Sequence, residues 1–209
     1  MIAAMTARAG GQGVQTSGTM TLTDTQIMES VRDGDGEAIA VLVERFQREL
    51  VGFFYHHCWN QTVAEELAQT VFIKVYRARE RYQATASFRT YLYRVAHNAW
   101  IDHLRRHKPL LSLDAEVGSG DAALRDLLPG HIDVDKEGRA HRIRDRIQAA
   151  VQELPEGQRD VFVMANNQEL KYEEISRILD IPVGTVKSRM HAAVRQLRGL
   201  LADLVEELP

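Results

Sequence analysis

Residues 172–190 read Tyr172-Glu-Glu-Ile-Ser-Arg-Ile-Leu-Asp-Ile-Pro-Val-Gly-Thr-Val-Lys-Ser-Arg-Met190, and this stretch decides the fold. A short helix over 172–179 puts Ile175, Ile178 and Leu179 on one face. Asp180-Ile181-Pro182 breaks it, because proline cannot continue a helix but suits the start of the next one. The second helix opens at Gly184-Thr185 and is expected to run to Leu204. On its wheel Val186, Met190, Ala193, Val194 and Leu197 share an inward arc. The opposite arc carries Gly184, Ser188, His191, Ala192 and Arg195, with Lys187 and Arg189 on the flanks. Short helix, tight turn, longer helix is the unit that enters the major groove. Short polar groups reach base edges there, and cations at the margins meet phosphate.

Working outward, apolar residues recur at helical spacing and no stretch alternates at period two, so the chain reads as all-α. One helix is expected over 35–59, on Ile39, Leu42, Val43, Phe46, Leu50, Phe53 and Phe54. A second fits 62–79, with Thr62 as N-cap and a core stripe of Ala64, Leu67, Ala68, Val71, Val75 and Ala78. A third runs over 87–106, with Phe88, Tyr91, Leu92, Val95, Ala99 and Leu104 inward. Pro109, Gly118, Gly120, Pro129, Gly130 and Gly138 then interrupt the pattern, which marks 109–138 as a flexible linker. Helices resume near Arg139 on Ile143, Ile147, Ala150 and Val151; Pro155 sits in a turn, and another helix fits 158–166. The first residues, rich in Gly, Ala, Thr and Ser, read as disordered, and Met20 is an alternative start. The expected architecture is a disordered tail (1–23) and two small helical domains (24–108 and 139–205) joined by the linker.

The 209 residues carry a net charge of only −3, but the charge is segregated. Residues 24–50 have seven acids and three bases, 77–108 eight bases and two acids, 109–138 two bases and seven acids, and 183–199 four bases and no acid. Two basic patches separated by an acidic connector fit two contacts with a polyanion, although each alone also fits a solvated helix face. The lone cysteine, Cys58, excludes an internal disulfide. No apolar run approaches a membrane span and no signal peptide is visible, so a cytoplasmic protein without membrane insertion is expected. His56-His57-Cys58 is not expected to hold a metal, since neighbours on a helix point about 100° apart. No phosphate loop, nucleophile elbow or zinc-protease motif is present, so neither catalytic residues nor a cofactor are expected.

Between positions 76 and 100 lie Tyr76, Tyr82, Phe88, Tyr91, Tyr93 and Trp100, among Arg77, Arg79, Arg81, Arg89 and Arg94. Rings interleaved with arginines suit unpaired DNA, because bases stack on rings while cations follow the backbone. Phe88 and Tyr91 lie on the inward stripe and are assigned to the core. The loop 83–87 and the polar side of the next helix, with Arg94 and Asn98, are the better candidates for reading bases; Arg105, Arg106 and Lys108 suit phosphates.

Tyr172-Glu173-Glu174-Ile175 through Ile181-Pro182-Val183-Gly184-Thr185-Val186-Lys187-Ser188-Arg189 resembles region 4 of the extracytoplasmic-function (ECF) group of sigma-70-type sigma factors. Leu154-Pro155-Glu156-Gly157-Gln158-Arg159 resembles the turn that opens that domain. The run from Ser87-Phe88-Arg89 to Leu104-Arg105-Arg106 resembles region 2, and Ala64-Glu65-Glu66-Leu67-Ala68-Gln69-Thr70-Val71-Phe72 its polymerase-binding helix. The resemblance implies a dissociable specificity subunit of RNA polymerase and no bond chemistry. Thr185, Lys187, Ser188, Arg189, His191 and Arg195 would then contact the −35 element, and Arg89, Arg94, Asn98, Arg105 and Arg106 the −10 element. Glu66, Gln69, Ile73 and Arg77 would meet core RNA polymerase, and Ile73 stands out as apolar on an otherwise polar face. The implied partners are core polymerase, promoter DNA and an anti-sigma factor, with the free chain a monomer that binds promoters poorly. Two rival readings remain: a stand-alone dimeric regulator, which needs a dimerising segment that only the helix ending at Leu204 could supply, and an enzyme with an appended DNA-binding domain, for which no polar catalytic cluster is visible within 24–108.

Overall fold

The computed structural model describes residues 22–107 and 134–206, residue 167 excepted, with side chains described over 22–107 and 142–204. The expected tail over 1–23 lies almost wholly outside the described residues, as does the linker up to residue 133. Among the described residues all regular structure is helical. The order is α1 (Asp24–Arg32), α2 (Ile39–Cys58), α3 (Gln61–Arg77), α4 (Phe88–Arg106), α5 (Val134–Gln152), α6 (Glu156–Asn166), α7 (Tyr172–Leu179), α8 (Val183–Leu200) and α9 (Ala202–Glu206). No helix among them is long and apolar enough to cross a membrane.

Helix α1 was not anticipated from the sequence. It opens on a capping box, in which the Thr23 hydroxyl accepts from Gln26 N–H and the Gln26 amide oxygen accepts from Thr23 N–H. Its Ile27, Met28 and Val31 are buried beneath α2 and α4. The helix expected from Asp35 starts at Ile39, because Asp35 caps a single 3-10 turn over Gly36–Ala38. The cap of α3 is Asn60, whose side chain accepts from Val63 N–H at 3.0 Å, and not Thr62. Helix α4 starts at Phe88, close to where it was expected, with the Ser87 hydroxyl accepting from Thr90 N–H as its cap. Helix α5 begins at Val134, inside the stretch read as linker: Gly138 does not stop it, since one glycine costs a helix only about 1 kcal/mol. The last segment is two helices, α8 and α9, broken at Leu201.

Helices α1–α4 form one bundle and α5–α9 a second, and the two pack against each other through α4 on α7 and α2 on α6. One apolar cluster consequently runs through both: Phe53, Leu92 and Ala96 join Val161, Met164, Ile175 and Val186. A smaller cluster of Ala150, Val151, Leu154, Ala193 and Leu197 closes the second bundle, and Trp59 of the first packs on it. This packing changes the reading of α4. Phe88, Leu92 and Ala99 are buried as expected, Tyr91, Val95 and Leu104 are half-buried, and Tyr93, Ala96 and Trp100 form an additional buried face. Tyr82, Tyr93 and Trp100 are therefore core residues and not free rings for stacking; of the six aromatics only Tyr76 is exposed, with the Arg79 guanidinium 4.4 Å from its ring.

Candidate nucleic-acid interface

The helix-turn-helix forms as its sequence dictates. Glu174 accepts from Lys171 N–H at 3.0 Å, placing a carboxylate at the positive end of α7. Asp180 takes the left-handed conformation (φ 54°) that ends α7, and Ile181 N–H donates to Ser176 O at 3.1 Å. The Ser176 hydroxyl donates to Ile181 O at 2.6 Å, which locks the turn from its other side. Pro182 then launches α8 from an extended conformation. Val186, Ala193 and Leu197 are buried and Met190 and Val194 half-buried, so the inward arc is the one read from the wheel. Lys187, Ser188, His191 and Arg195 are exposed on the outward side, and Thr185 is half-buried at its start. Arg189 differs from these. Its guanidinium lies over Gly157 at the start of α6, where a Cβ would come within 3.0 Å of it.

The turn before α6 braces the helix-turn-helix. Leu154 is buried, and Arg159 donates to Val151 O at 3.1 Å and Leu154 O at 3.0 Å, and also to Gln152 O. These bonds tie the guanidinium to carbonyls at and just beyond the end of α5. Burial lowers the Arg159 pKa, against the opposing pull of Asp160 and Glu156.

On the first bundle the expected −10 residues divide in two. Asn98, Arg105 and Arg106 are exposed, as is most of the loop 83–87. Arg89 and Arg94 face the second bundle. Arg89 donates to Glu49 Oε2 at 3.0 Å and to the Gln168 carbonyl at 2.9 Å. Burial works against its charge, but Glu49 and Tyr93 outweigh it and the pKa is raised. Arg94 donates to the carbonyl of Arg177 near the end of α7. Lys74 ties α3 to α4 through Asp102 at 3.0 Å, and that hydrogen bond, then the Lys74 charge, lowers the Asp102 pKa.

The residues expected to meet a partner share one face of α3. Glu66, Gln69, Ile73 and Arg77 are all exposed along α3, over roughly 16 Å of helix, with Ile73 at 40% exposure. His56, His57 and Cys58 diverge. His57 turns inward toward Asp160, His56 lies against Trp59 (ring centroids 5.4 Å), and the Cys58 thiol donates to Asn60 O at 3.3 Å. Sequence reasoning missed the polar set joining the bundles: His57, Asp160, Tyr93 and Gln168. Only the rarity of buried His and Asp side chains on otherwise apolar faces could have signalled it.

Residues 42–109 match the family model for sigma-70 region 2, and residues 144–197 the model for sigma-70 region 4. The chain is 34% identical to the RNA polymerase sigma-H factor of Pseudomonas aeruginosa, over 88% of this chain and 96% of that one. It is 34% identical to the ECF sigma factor SigW of Bacillus subtilis (85% and 96% covered) and 32% identical to the ECF sigma-E factor of Escherichia coli (88% and 97% covered). In fold it is similar to CnrH, solved in complex with the cytosolic domain of CnrY, at a TM-score of 0.65 and 19% identity (86% and 97% covered). It is also similar to the sigma factor RpoE of Bartonella quintana, solved with the anti-sigma factor NepR, at 0.58 and 16% identity (78% and 96% covered). Two region models in chain order and relatives matched over nearly their whole length settle the descent: the chain belongs to the ECF group of sigma-70-type RNA polymerase sigma factors, which direct promoter-specific transcription initiation.

Proposed function

We propose that this sigma factor works through three separate faces. Glu66, Gln69, Ile73 and Arg77 on α3 dock on core RNA polymerase. The loop 83–87, with Asn98, Arg105 and Arg106 and, once uncovered, Arg89 and Arg94, holds the melted −10 strand. Thr185, Lys187, Ser188, His191 and Arg195 meet the −35 duplex, with Arg189 at the margin. The observation that carries this reading is an exposed polar and basic face on α8, opposite a buried apolar one, in the same chain as a second basic helix and a separate exposed face on α3. The protein acts by binding, in the cytoplasm, without a cofactor, and is a monomer when free. An anti-sigma factor, as in the CnrH and RpoE complexes, is its expected antagonist.

The two promoter elements, 35 and 10 bases upstream, lie about 80 Å apart on straight duplex. With α4 against α7 the two grips cannot span that distance, so the bundles must separate on polymerase. The 26 residues between His107 and Val134 can reach about 90 Å when extended, which is enough. Run-off transcription with purified core polymerase tests the proposal. Ile73→Asp should abolish core binding, and Lys187→Ala with His191→Ala should abolish only promoters that need a −35 element. A chain that footprints a specific operator tightly without polymerase would refute it.

A further inference from the structure

The contact between the bundles holds a buried acid that promoter binding does not use. Asp160, on α6, has Oδ1 3.1 Å from His57 Nε2 on α2 and Oδ2 3.9 Å from His97 Nδ1 on α4. The His57 and Asp160 side chains are 0% and 6% exposed. His57 Nδ1 is at the same time 2.8 Å from the Phe53 carbonyl, and its ring lies between Phe53 and Trp100. A carbonyl only accepts, and so does an ionised carboxylate. The ring satisfies both only when both nitrogens carry hydrogen. A neutral ring sets a lone pair against one of the two acceptors, whichever tautomer it takes.

The surrounding charged groups do not replace that proton. His97 Nδ1 is buried without a hydrogen-bond partner. Burial lowers its pKa, Asp160 opposes the shift and His57 reinforces it, so His97 is biased toward the neutral form. His56, next on α2, is also lowered, by burial first and then by His57. Glu156 adds negative charge from α6, and the Arg159 guanidinium is hydrogen-bonded to the carbonyls ending α5. His57 Nε2 is the ring nitrogen that faces the Asp160 carboxylate, at 3.1 Å.

We propose that His57 and Asp160 form a proton-dependent latch between the two domains: closing takes up one proton at this pair, and its loss favours separation. Because closing takes up one proton at the pair, the closing equilibrium falls as pH rises, by up to about tenfold per pH unit. Its consequence for transcription rests on the reading of α4 above, since the closed form keeps Arg89 and Arg94 against α7 and separation frees them.

The test uses the full chain with fluorophores on Gln47→Cys and Arg198→Cys, both exposed positions, in a Cys58→Ser background. Energy transfer is followed from pH 6 to 9, with circular dichroism alongside. Transfer should fall as pH rises, with helix content retained. Asp160→Asn should flatten the profile, because an amide N–H can donate to a neutral His57 Nε2 and closure then needs no proton. Gln168→Met, which loosens the same contact without touching the pair, should lower transfer at every pH while keeping the slope. Three outcomes overturn the proposal: a wild-type profile without pH dependence, an Asp160→Asn profile with the wild-type slope, or helix content lost in step with transfer. Transcription is not measured, so failure here is distinguishable from failure of the promoter reading.

Discussion

Tyr93→Phe isolates the energetic weight of the interdomain contact. The Tyr93 hydroxyl donates to Gln168 Oε1 across the interface, and both side chains are buried. Burial first, and the Glu49 charge next, raise the Tyr93 pKa, so the hydroxyl remains a donor at any usable pH. Phenylalanine keeps the ring and its edge-on packing against Phe53 at 5.5 Å; it removes the donor to Gln168, and with it a 3.3 Å contact to the partly exposed Glu49 that closed and open forms share. Gln168 Oε1 is then left without that donor in the closed form but is hydrated once the domains part. A buried acceptor left unpaired costs about 1–3 kcal/mol, and here the cost falls on the closed state alone. The closed-to-open ratio should drop by about 5–150-fold. If only the open form binds core polymerase, its apparent affinity tightens by up to the same factor while the closed form predominates. Fluorescence anisotropy of labelled protein titrated with core measures the affinity, and energy transfer measures the opening. Both quantities unchanged within twofold, with helix content intact, would refute the reasoning.

Other expectations follow from single contacts. Asn60→Ala deletes the side-chain cap of α3 and should lower stability by about 1 kcal/mol in chemical denaturation. Ile175→Ala, at a fully buried site in the shared core, should cost about 2–5 kcal/mol in the same assay. Lys187→Ala should weaken duplex binding by the holoenzyme about equally across −35 sequences and reduce the salt slope by about one, as a phosphate contact does. His97 should titrate below the ordinary imidazole value of about 6.5 in an NMR titration. Because its folded pKa is lowered, its contribution to stability should be present above that pH and lost as pH falls below it.

The helix-turn-helix was legible because its determinants are local. Asp180, Pro182 and the wheel of residues 183–197 carry their meaning in their own neighbourhood, and α3 displayed its outward stripe equally plainly. Helix α1 carried a local signal too, the Thr23–Gln26 capping box, but it is short and its three buried residues are hard to tell from chance. The second buried face of α4 could not be read. Tyr93 and Trp100 look like an ordinary spread of residues around a helix until the rings of Phe53 and His57 on α2 meet them and Gln168, some seventy positions later, reaches the Tyr93 hydroxyl. Arg89 and Arg94 were placed on a DNA-reading helix for their charge, and the closed structure engages them with Glu49 and with backbone carbonyls of the second bundle. Periodicity reports that a face is apolar or polar; it does not report how many partners a helix serves in turn.

Because α4 packs on α7 as well as within its own bundle, cutting the chain in two leaves each piece with an uncovered apolar strip. A fragment ending at His107 would lose the second bundle's share of the common cluster and the Gln168 partner of the Tyr93 hydroxyl, and should tend to self-associate on purification. Solubilising substitutions on that strip would have to be reversed before the piece could be compared with the intact protein.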